Sequence, residues 1–153
     1  MGREKTTGNS KVVCAAGGLL WFDTPEGRKL TIILRTKDQD YALPKGKLDE
    51  DEEWLDAALR EVGEETGIAA QVESFAGSVS YILPKGSPKV VLYWNMTPVG
   101  TYTSGGKRVK TYPDPREIQE VCHVSIAQAL ALLSHDSEKQ ILYVNLDSHY
   151  RLR

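Results

Sequence analysis

A single domain of mixed α and β structure, an α+β or α/β sandwich, is the fold class that the sequence predicts. The chain has 153 residues, and two independent cores would each be smaller than a usual domain. Strand-like runs precede and follow one amphipathic segment of helical periodicity, and two further helical segments come last. We expect one domain over residues 11–153, preceded by a flexible polar segment over residues 1–10.

The predicted domain begins with a β-hairpin. Residues 11–22 are rich in Val, Ala and Leu and predict a buried strand. A turn over residues 23–27 leads to a second strand over residues 30–35. Residues 41–46, which read Tyr-Ala-Leu-Pro-Lys-Gly, contain a proline and a glycine and predict a loop that delivers the chain to the next element.

The clearest helix follows this loop, from residue 51 onward. Apolar side chains recur there at intervals of three and four residues, at Trp54, Leu55, Ala58, Leu59 and Val62. Gly67 stands where a glycine usually ends a helix. The spacing therefore predicts one amphipathic helix that stops at Gly67.

The rest of the chain predicts two strands, a long polar loop, a short strand and two helices. In chain order we expect them at residues 72–83, 89–98, 100–116, 120–124, 126–133 and 136–146. Ser125 has the residue type of a helix N-cap. A loop as long as residues 100–116 is usually functional or disordered.

Composition and charge exclude several classes of protein. Apolar residues make up 41% of the chain and charged residues 26%, which is typical of a globular domain. The net charge of -2 gives no global attraction to nucleic acid or to an anionic membrane, and no apolar run could span a bilayer. Cys14 and Cys122 lack metal-site spacing and are expected to be reduced. We expect a cytoplasmic protein, and the sequence leaves a homodimer open.

The near-neutral total hides a strongly acidic segment. Between residues 49 and 65 there are nine acids against one base, Arg60. The acids at 49–53 and Asp56 lie near the start of the predicted helix, where they are interpreted as solvated side chains that favour the helix dipole.

Three later glutamates need a different explanation. Glu61, Glu64 and Glu65 fall within an arc of about 100° on one helix face. They lie towards the helix C-terminus, where negative charge opposes the dipole, and they repel one another. A hard divalent cation would neutralise them, and Mg²⁺ is the expected ion, with Mn²⁺ as a possible substitute.

The segment GKLDEDEEWLDAALREVGEETGI, residues 46–68, resembles the Nudix box at every defined position. The resemblance implies an α/β/α sandwich with a mixed sheet between helices. It also implies metal ligands at Gly46, Glu61, Glu64 and Glu65, with Glu64 or a loop glutamate as the general base. Arg60 would hold the glutamates in position, and Glu52 would bind a further ion or support the loop.

Outside the box, residues 41–46 resemble the stretch that precedes it in diadenosine polyphosphate hydrolases and diphosphoinositol polyphosphate enzymes. Lys45 would then face phosphate, and Arg35 at the end of a predicted strand would be a second phosphate contact. The alternative for either residue is a surface cation whose stem packs on apolar neighbours.

The long loop and its end supply further candidates. Many members of the family place a fourth metal-binding or catalytic glutamate before the last strand, where this chain has Glu117 and Glu120, and the spacing favours Glu117. Each is also an ordinary strand-flanking acid. The basic residues Lys107, Arg108 and Lys110 would reach over a polyphosphate or are merely solvated.

A nucleobase would be expected to stack on an aromatic ring. The candidates are Tyr81, Tyr93, Trp94 and Tyr112, and core packing is the favoured role for any one of them. Tyr93 is the one proposed as a substrate contact. One position beyond the box conflicts with the resemblance to dinucleoside polyphosphate enzymes. Those enzymes carry a tyrosine about 16 residues past the box, and this chain has Pro84 at 16 residues beyond Ile68. A proline near this position is typical of ADP-ribose pyrophosphatases.

The sequence therefore predicts a Mg²⁺-dependent pyrophosphohydrolase whose partner is a small phosphorylated nucleotide. Metal ions on a diphosphate neutralise its oxygens, polarise phosphorus and acidify water. A dinucleoside polyphosphate or a nucleoside triphosphate is the leading substrate. The alternatives are an ADP-ribose or nucleotide-sugar pyrophosphatase and a catalytically silent nucleotide-binding regulatory domain.

Overall fold

A computed structural model of the chain describes residues 4–7, 10–104, 107–108 and 113–150, with side chains over 11–102 and 113–146. The strands are β1 Glu4–Thr7, β2 Ser10–Thr24, β3 Gly27–Arg35, β4 Asp40–Ala42, β5 Lys45–Lys47, β6 Ile68–Ile82, β7 Pro88–Thr101, β8 Thr103–Ser104, β9 Lys107–Arg108 and β10 Ile118–Ser125. The helices are α1 Trp54–Thr66, α2 Ile126–Leu132 and α3 Asp136–Tyr150. The predicted class, a mixed sheet combined with helices, is confirmed.

One mixed sheet organises the molecule. Its path runs β10-β3-β2-β7-β6, and β1, β4 and β5 join at its sides. The long strand β2 pairs antiparallel with β3, as the predicted hairpin requires, and parallel with β7. Because β2 also pairs with β5, the short segment before the acidic helix is built into the sheet.

Alternate residues of β2 face opposite layers of helices. Ala15, Leu19 and Trp21 pack in one hydrophobic cluster with residues of α2 and α3. Cys14 and Leu20, on the other face, belong to a second cluster that contains the buried side of α1. The two clusters cover both faces of the sheet, which gives the α/β/α order of layers.

Helix α1 forms as its spacing predicts. Ala57, Ala58 and Val62 are buried against the sheet. The helix ends at Gly67, which adopts a left-handed φ of 76° and donates its N–H to the Gly63 carbonyl at 2.8 Å. A glycine tolerates this conformation without the steric penalty that a Cβ would bring.

The segment over residues 41–46 differs from the predicted loop. Asp40–Ala42 pairs with the end of β3, and Lys45–Lys47 pairs with Ala15–Gly17 of β2. Proline and glycine mark only the bend between two short strands, and pairings of three residues leave no periodic signal in the sequence. The prediction of a loop was therefore wrong over most of this stretch.

The other boundaries shift by a few residues. Residues 1–10 were expected to be flexible, whereas the structure places Glu4–Thr7 in a strand paired with β2. Within the predicted loop over 100–116, the strands β8 and β9 pair antiparallel. Ser125 caps α2 in a reciprocal capping box with Gln128, as expected from its residue type. In the described ranges, no helix is long and apolar enough to cross a membrane.

Replacing Gly67 tests how α1 ends. Gly67→Ala puts a side chain at a left-handed φ, so we expect the free energy of unfolding to fall by about 1 kcal/mol in urea denaturation. Gly67→Asn is the matched control and should lose less, because asparagine tolerates this region better than alanine. Equal stability of Gly67→Ala and the unchanged protein would contradict the assigned role.

Candidate active site

Two adjoining cavities lie at the ends of β3, β5 and α1, each of about 420 Å³. The first, here called the carboxylate cavity, is lined by Glu61, Glu64, Glu65 and Glu117. The second cavity extends towards α3 and is lined by Tyr81, Tyr93 and Glu138, among others. The wall common to both is formed by Arg35, Lys45, Gly46, Lys47 and Glu65.

Gly46 lies directly against Glu61. A Cβ built on Gly46 would be 1.9 Å from the Glu61 Oε2 atom, so a larger residue would push this carboxylate away. Strand β5 brings Gly46 here, because it pairs with Ala16 of β2. The structure therefore brings together two of the metal ligands that the resemblance implies.

Arg60 organises the carboxylates from its own position on α1. Its Nη1 donates to Glu61 and Glu64, both at 2.7 Å, and its Nε donates to Glu52 at 2.8 Å. The hydrogen bond with Glu52, with the further bond to Glu61, raises the pKa of Arg60. Arg60 thus connects Glu61 and Glu64 with Glu52, which lies in the chain before α1. These contacts form without a substrate.

Glu65 is the carboxylate with the most unfavourable surroundings. Burial raises the pKa of Glu65 to about 8 and nearby Glu61 adds to this, although the Lys45 N–H donates to Glu65 Oε1 at 2.8 Å. Burial also raises the pKa of Glu61, against the opposing effect of Arg60. A cation in the cavity would favour the ionised form of both carboxylates.

Glu64 and Glu117 are the accessible glutamates of the cavity. The Glu64 side chain is 48% exposed although Arg60 contacts it, and Glu117 is exposed at the start of β10. Glu120 does not line either of the two cavities and accepts a hydrogen bond from the Cys122 thiol at 2.7 Å. A register shift between Ile118 and Glu120 separates the two candidate acids.

The donor set fits a hard divalent cation. Carboxylates that converge beside the Gly46 backbone are the oxygen ligands that Mg²⁺ and similar ions prefer, and solvent would complete the coordination. Over the part of the chain that the structure describes, no three acidic, histidine or cysteine side chains form a ready-made cage. In this structure Glu61 and Glu64 both accept hydrogen bonds from the Arg60 guanidinium.

The two cations predicted to face phosphate are both at the cavities and both paired. Arg35 donates to Asp40 twice at 2.6 Å, and His135 contacts the same carboxylate at 3.0 Å. The Lys45 ammonium donates to the buried Glu138 at 2.9 Å. Each cation therefore has a carboxylate partner in this structure.

The aromatic candidates are distributed differently from the expectation. Tyr93 is fully buried, and its hydroxyl donates to Glu138 at 3.3 Å, so its ring offers little surface for stacking. Trp94 packs edge-on against Phe75 with ring centroids 5.3 Å apart. Tyr81 is 36% exposed and lines the second cavity, which leaves it as the accessible ring.

Part of the basic loop cannot be placed. Lys107 and Arg108 form β9, but their side chains are outside the described residues. Lys110 and Tyr112 lie outside the described residues altogether. Their predicted roles stay predictions.

Lys47, Lys89 and Glu138 are among the cavity residues that sequence reasoning missed. Lys89 pairs with Tyr81 across β6 and β7 and with Val13 of β2, while Lys47 pairs with Ala15 of β2. These cross-strand partners put both lysines on one face of the sheet. The signal was absent from the sequence, because it depends on a register between distant strands.

The structure is thus an α/β/α sandwich in which helix α1 presents Glu61, Glu64 and Glu65 to a cavity that Arg35, Lys45 and Lys47 also line. The NUDIX domain model matches residues 15–144. The chain belongs to the Nudix family.

Named relatives and solved structures agree with this assignment. The chain is 29% identical over 151 residues to the 8-oxo-(d)GTP phosphatase of Mycolicibacterium smegmatis, a match that covers 93% of this chain and 44% of that protein. It is 46% identical over 69 residues to the asymmetrical bis(5'-nucleosyl)-tetraphosphatase of Rattus norvegicus, covering 41% of this chain and 46% of the relative. The chain thus matches less than half the length of either relative.

The fold is similar to that of a C. elegans Ap4A hydrolase in a binary complex, with a TM-score of 0.69, 21% identity and coverage of 87% of this chain and 94% of that one. It is also similar to the E. coli ORF135 protein, with a TM-score of 0.71, 20% identity and coverage of 96% and 97%. Nudix hydrolases generally use divalent metal ions, in keeping with the carboxylate donor set.

The ion pair between Arg35 and Asp40 gives a pH-dependent prediction. The hydrogen bond from Arg35 lowers the pKa of Asp40 from 3.8 to about 2, so folding holds this carboxylate ionised to lower pH than the unfolded chain does. The resulting stability is fully present above about pH 4 and is lost as the pH falls towards 2.

Asp40→Asn removes this contribution. We expect its free energy of unfolding to be about 1 kcal/mol below that of the unchanged protein at pH 7, and most of the difference to be lost near pH 2. Urea denaturation at both pH values measures it, with Glu73→Gln at an exposed site of β6 as control. A difference that is the same at pH 7 and pH 2 would refute the assigned pairing.

Proposed function

We propose that the protein is a Mg²⁺-dependent pyrophosphohydrolase that cleaves a phosphoric anhydride bond in a dinucleoside polyphosphate or a nucleoside triphosphate, with Mn²⁺ as a substitute ion. The observation that carries the proposal is the shared wall of the two cavities. A carboxylate set suited to divalent cations lies on one side of Lys45 and Gly46, and a cationic cavity lies on the other.

The charges of the shared wall favour a polyphosphate. Arg35, Lys45 and Lys47 of the shared wall line the second cavity together with Lys89. Burial, and then these three cations, lower the pKa of Lys89. Cations held this close repel one another unless an anion lies between them. A phosphate chain that runs from the carboxylate cavity into the second cavity would supply that anion.

The relatives support the same class of substrate. The names of two of them, an 8-oxo-(d)GTP phosphatase and an asymmetrical bis(5'-nucleosyl)-tetraphosphatase, describe action on a nucleoside triphosphate and on a dinucleoside tetraphosphate. In this chain Tyr81 offers an exposed ring at the second cavity for the nucleobase. We place the non-reacting part of the substrate there.

The glutamates of the carboxylate cavity and the groups that contact them have distinct roles in this reaction. Arg60 and the Lys45 N–H fix the orientations of Glu61, Glu64 and Glu65. Bound divalent metal supplies Lewis-acid chemistry, since it neutralises phosphate oxygens and acidifies water. A water oxygen forms the new bond to phosphorus, the bridging P–O bond breaks, and Glu64 or Glu117 takes the proton from water.

A substrate panel tests the proposal. Purified protein is incubated with Mg²⁺ or Mn²⁺ and with dinucleoside polyphosphates, nucleoside triphosphates, ADP-ribose and nucleotide sugars, and the products are separated by chromatography. We expect cleavage of the first two classes into two phosphate-bearing products. Preference for ADP-ribose or a nucleotide sugar would select the alternative pyrophosphatase, and no cleavage of any compound would favour a silent binding domain.

The carboxylates give the sharpest mutational test. Glu64→Gln and Glu65→Gln keep the side-chain volume and remove the charge, so we expect kcat to fall by about 100-fold or more. Steady-state kinetics with the preferred substrate measure the loss. Glu73→Gln is the matched control, because Glu73 is exposed on β6 and should keep normal kcat. An unchanged kcat in both active-site variants would rule out the assigned metal chemistry.

Lys89 tests whether the phosphate chain enters the second cavity. Lys89→Met keeps the apolar stem and removes the charge, so we expect KM for a dinucleoside tetraphosphate to rise about tenfold through loss of a charged hydrogen bond. The KM for a nucleoside triphosphate, with its shorter chain, should rise less. Lys29→Met, on the partly buried start of β3, is the matched control. If KM changes equally for both substrates, the longer phosphate chain of the dinucleoside tetraphosphate does not extend to Lys89 in the second cavity.

A further inference from the structure

Glu138 is a charged residue in an unusual place. It lies in the first turn of α3, where an acid is normally solvated, yet it is only 1% exposed. Its carboxylate lies more than 90 residues along the chain from two of its hydrogen-bond partners, the Leu43 N–H at 3.1 Å and the Lys45 ammonium at 2.9 Å. The Tyr93 hydroxyl donates to it at 3.3 Å.

These contacts account for an otherwise costly burial. An isolated buried carboxylate would lose its hydration, whereas three donors and the N-terminal end of a helix compensate for that loss. Burial, with a further contribution from Glu138, raises the pKa of Tyr93 well above its ordinary value, so the hydroxyl keeps the proton that it donates. The position of Glu138 is therefore fixed by α3 on one side and by Leu43 and Lys45 on the other.

The segment that Glu138 holds is the one that orients the glutamates of the carboxylate cavity. The Lys45 N–H donates to Glu65 at 2.8 Å, and Gly46 packs directly on the Glu61 carboxylate. On its other side the segment is pinned to β2, because the Gly18 N–H donates to the Pro44 carbonyl at 3.1 Å. A shift of the segment would move the partners of both glutamates together.

We propose that Glu138 is a positioning residue: it ties α3 to residues 43–46 and, through the Lys45 backbone and Gly46, sets the geometry of Glu65 and Glu61 for metal binding. It acts on the glutamates through the backbone of residues 43–46 and is not itself a metal ligand. The inference rests on the proposed function for its effect on turnover, but its effect on the segment does not require catalysis.

Glu138→Ala and Glu138→Gln separate the contacts. Alanine removes all three, while glutamine retains an oxygen that accepts the Leu43 N–H and loses the charge that holds Lys45. We expect Glu138→Ala to weaken Mn²⁺ binding, measured by electron paramagnetic resonance of the free ion, by about tenfold and to lower kcat by a similar factor. Glu138→Gln should lie between Glu138→Ala and the unchanged protein.

A third measurement needs neither metal nor substrate. In metal-free protein, amide hydrogen exchange over residues 43–46 should become faster in Glu138→Ala, because the hydrogen bond from the Leu43 N–H is lost. The Tm of each variant reports stability separately. Glu73→Gln, the same change at an exposed site, is expected to match the unchanged protein in every measurement.

The outcomes distinguish the inference from the proposed function. Unchanged Mn²⁺ affinity, kcat and amide hydrogen exchange in both folded Glu138 variants would overturn the inference. A lower Tm does not rescue the inference if these three quantities are unchanged. If Glu138→Ala fails to fold, Glu138→Gln decides on the same criteria. If the unchanged protein binds Mn²⁺ but cleaves no substrate, the proposed function fails, while Mn²⁺ affinity and exchange still decide the role of Glu138.

Discussion

The close approach of residues 43–47 to three neighbouring elements is the constraint on which the site depends. A Cβ on Gly17 would lie 2.2 Å from the Pro44 carbonyl oxygen, and one on Gly46 would collide with Glu61. The two glycines therefore allow β5 to pair closely with β2 and to contact α1 at the same time. Glu138 completes the enclosure from α3. Glu65 and Glu61 are therefore placed partly by contacts with the backbone of Lys45 and Gly46, which is stiffer than a contact between two long side chains.

Electrostatics explains why this enclosure must be tight. Glu61 and Glu65 are partly buried next to each other, which disfavours their charged forms in the absence of a cation. Arg60 compensates for part of this charge, and it binds Glu52 at the same time, so the helix is tied to the chain that precedes it. The cavity thus combines buried carboxylates, whose ionised forms a metal would favour, with a fixed arrangement of these ligands.

How much of this architecture the sequence predicts depends on how far apart the interacting residues lie along the chain. Helix α1 and its end at Gly67 depend on neighbours within four residues, so spacing alone located them. The pairing of Lys45–Lys47 with β2 depends on residues about 30 positions away and left no local pattern. Glu138 looked like an ordinary acid at a helix start, because its burial comes from contacts with residues 43, 45 and 93. Core packing was the favoured role for Tyr93 and a substrate contact the other, and the same network buries it.

The four cations around the second cavity differ in whether they already form an ion pair, which affects how an anion would bind. Arg35 and Lys45 are already paired with Asp40 and Glu138. In the described ranges, the ammonium groups of Lys47 and Lys89 have no such partner. An incoming phosphate can therefore meet Lys47 and Lys89 without breaking an existing ion pair, whereas contact with Lys45 must compete with Glu138. Because a buried carboxylate left without its cation is unfavourable, Lys45 serves the site better by staying in place than by following the substrate.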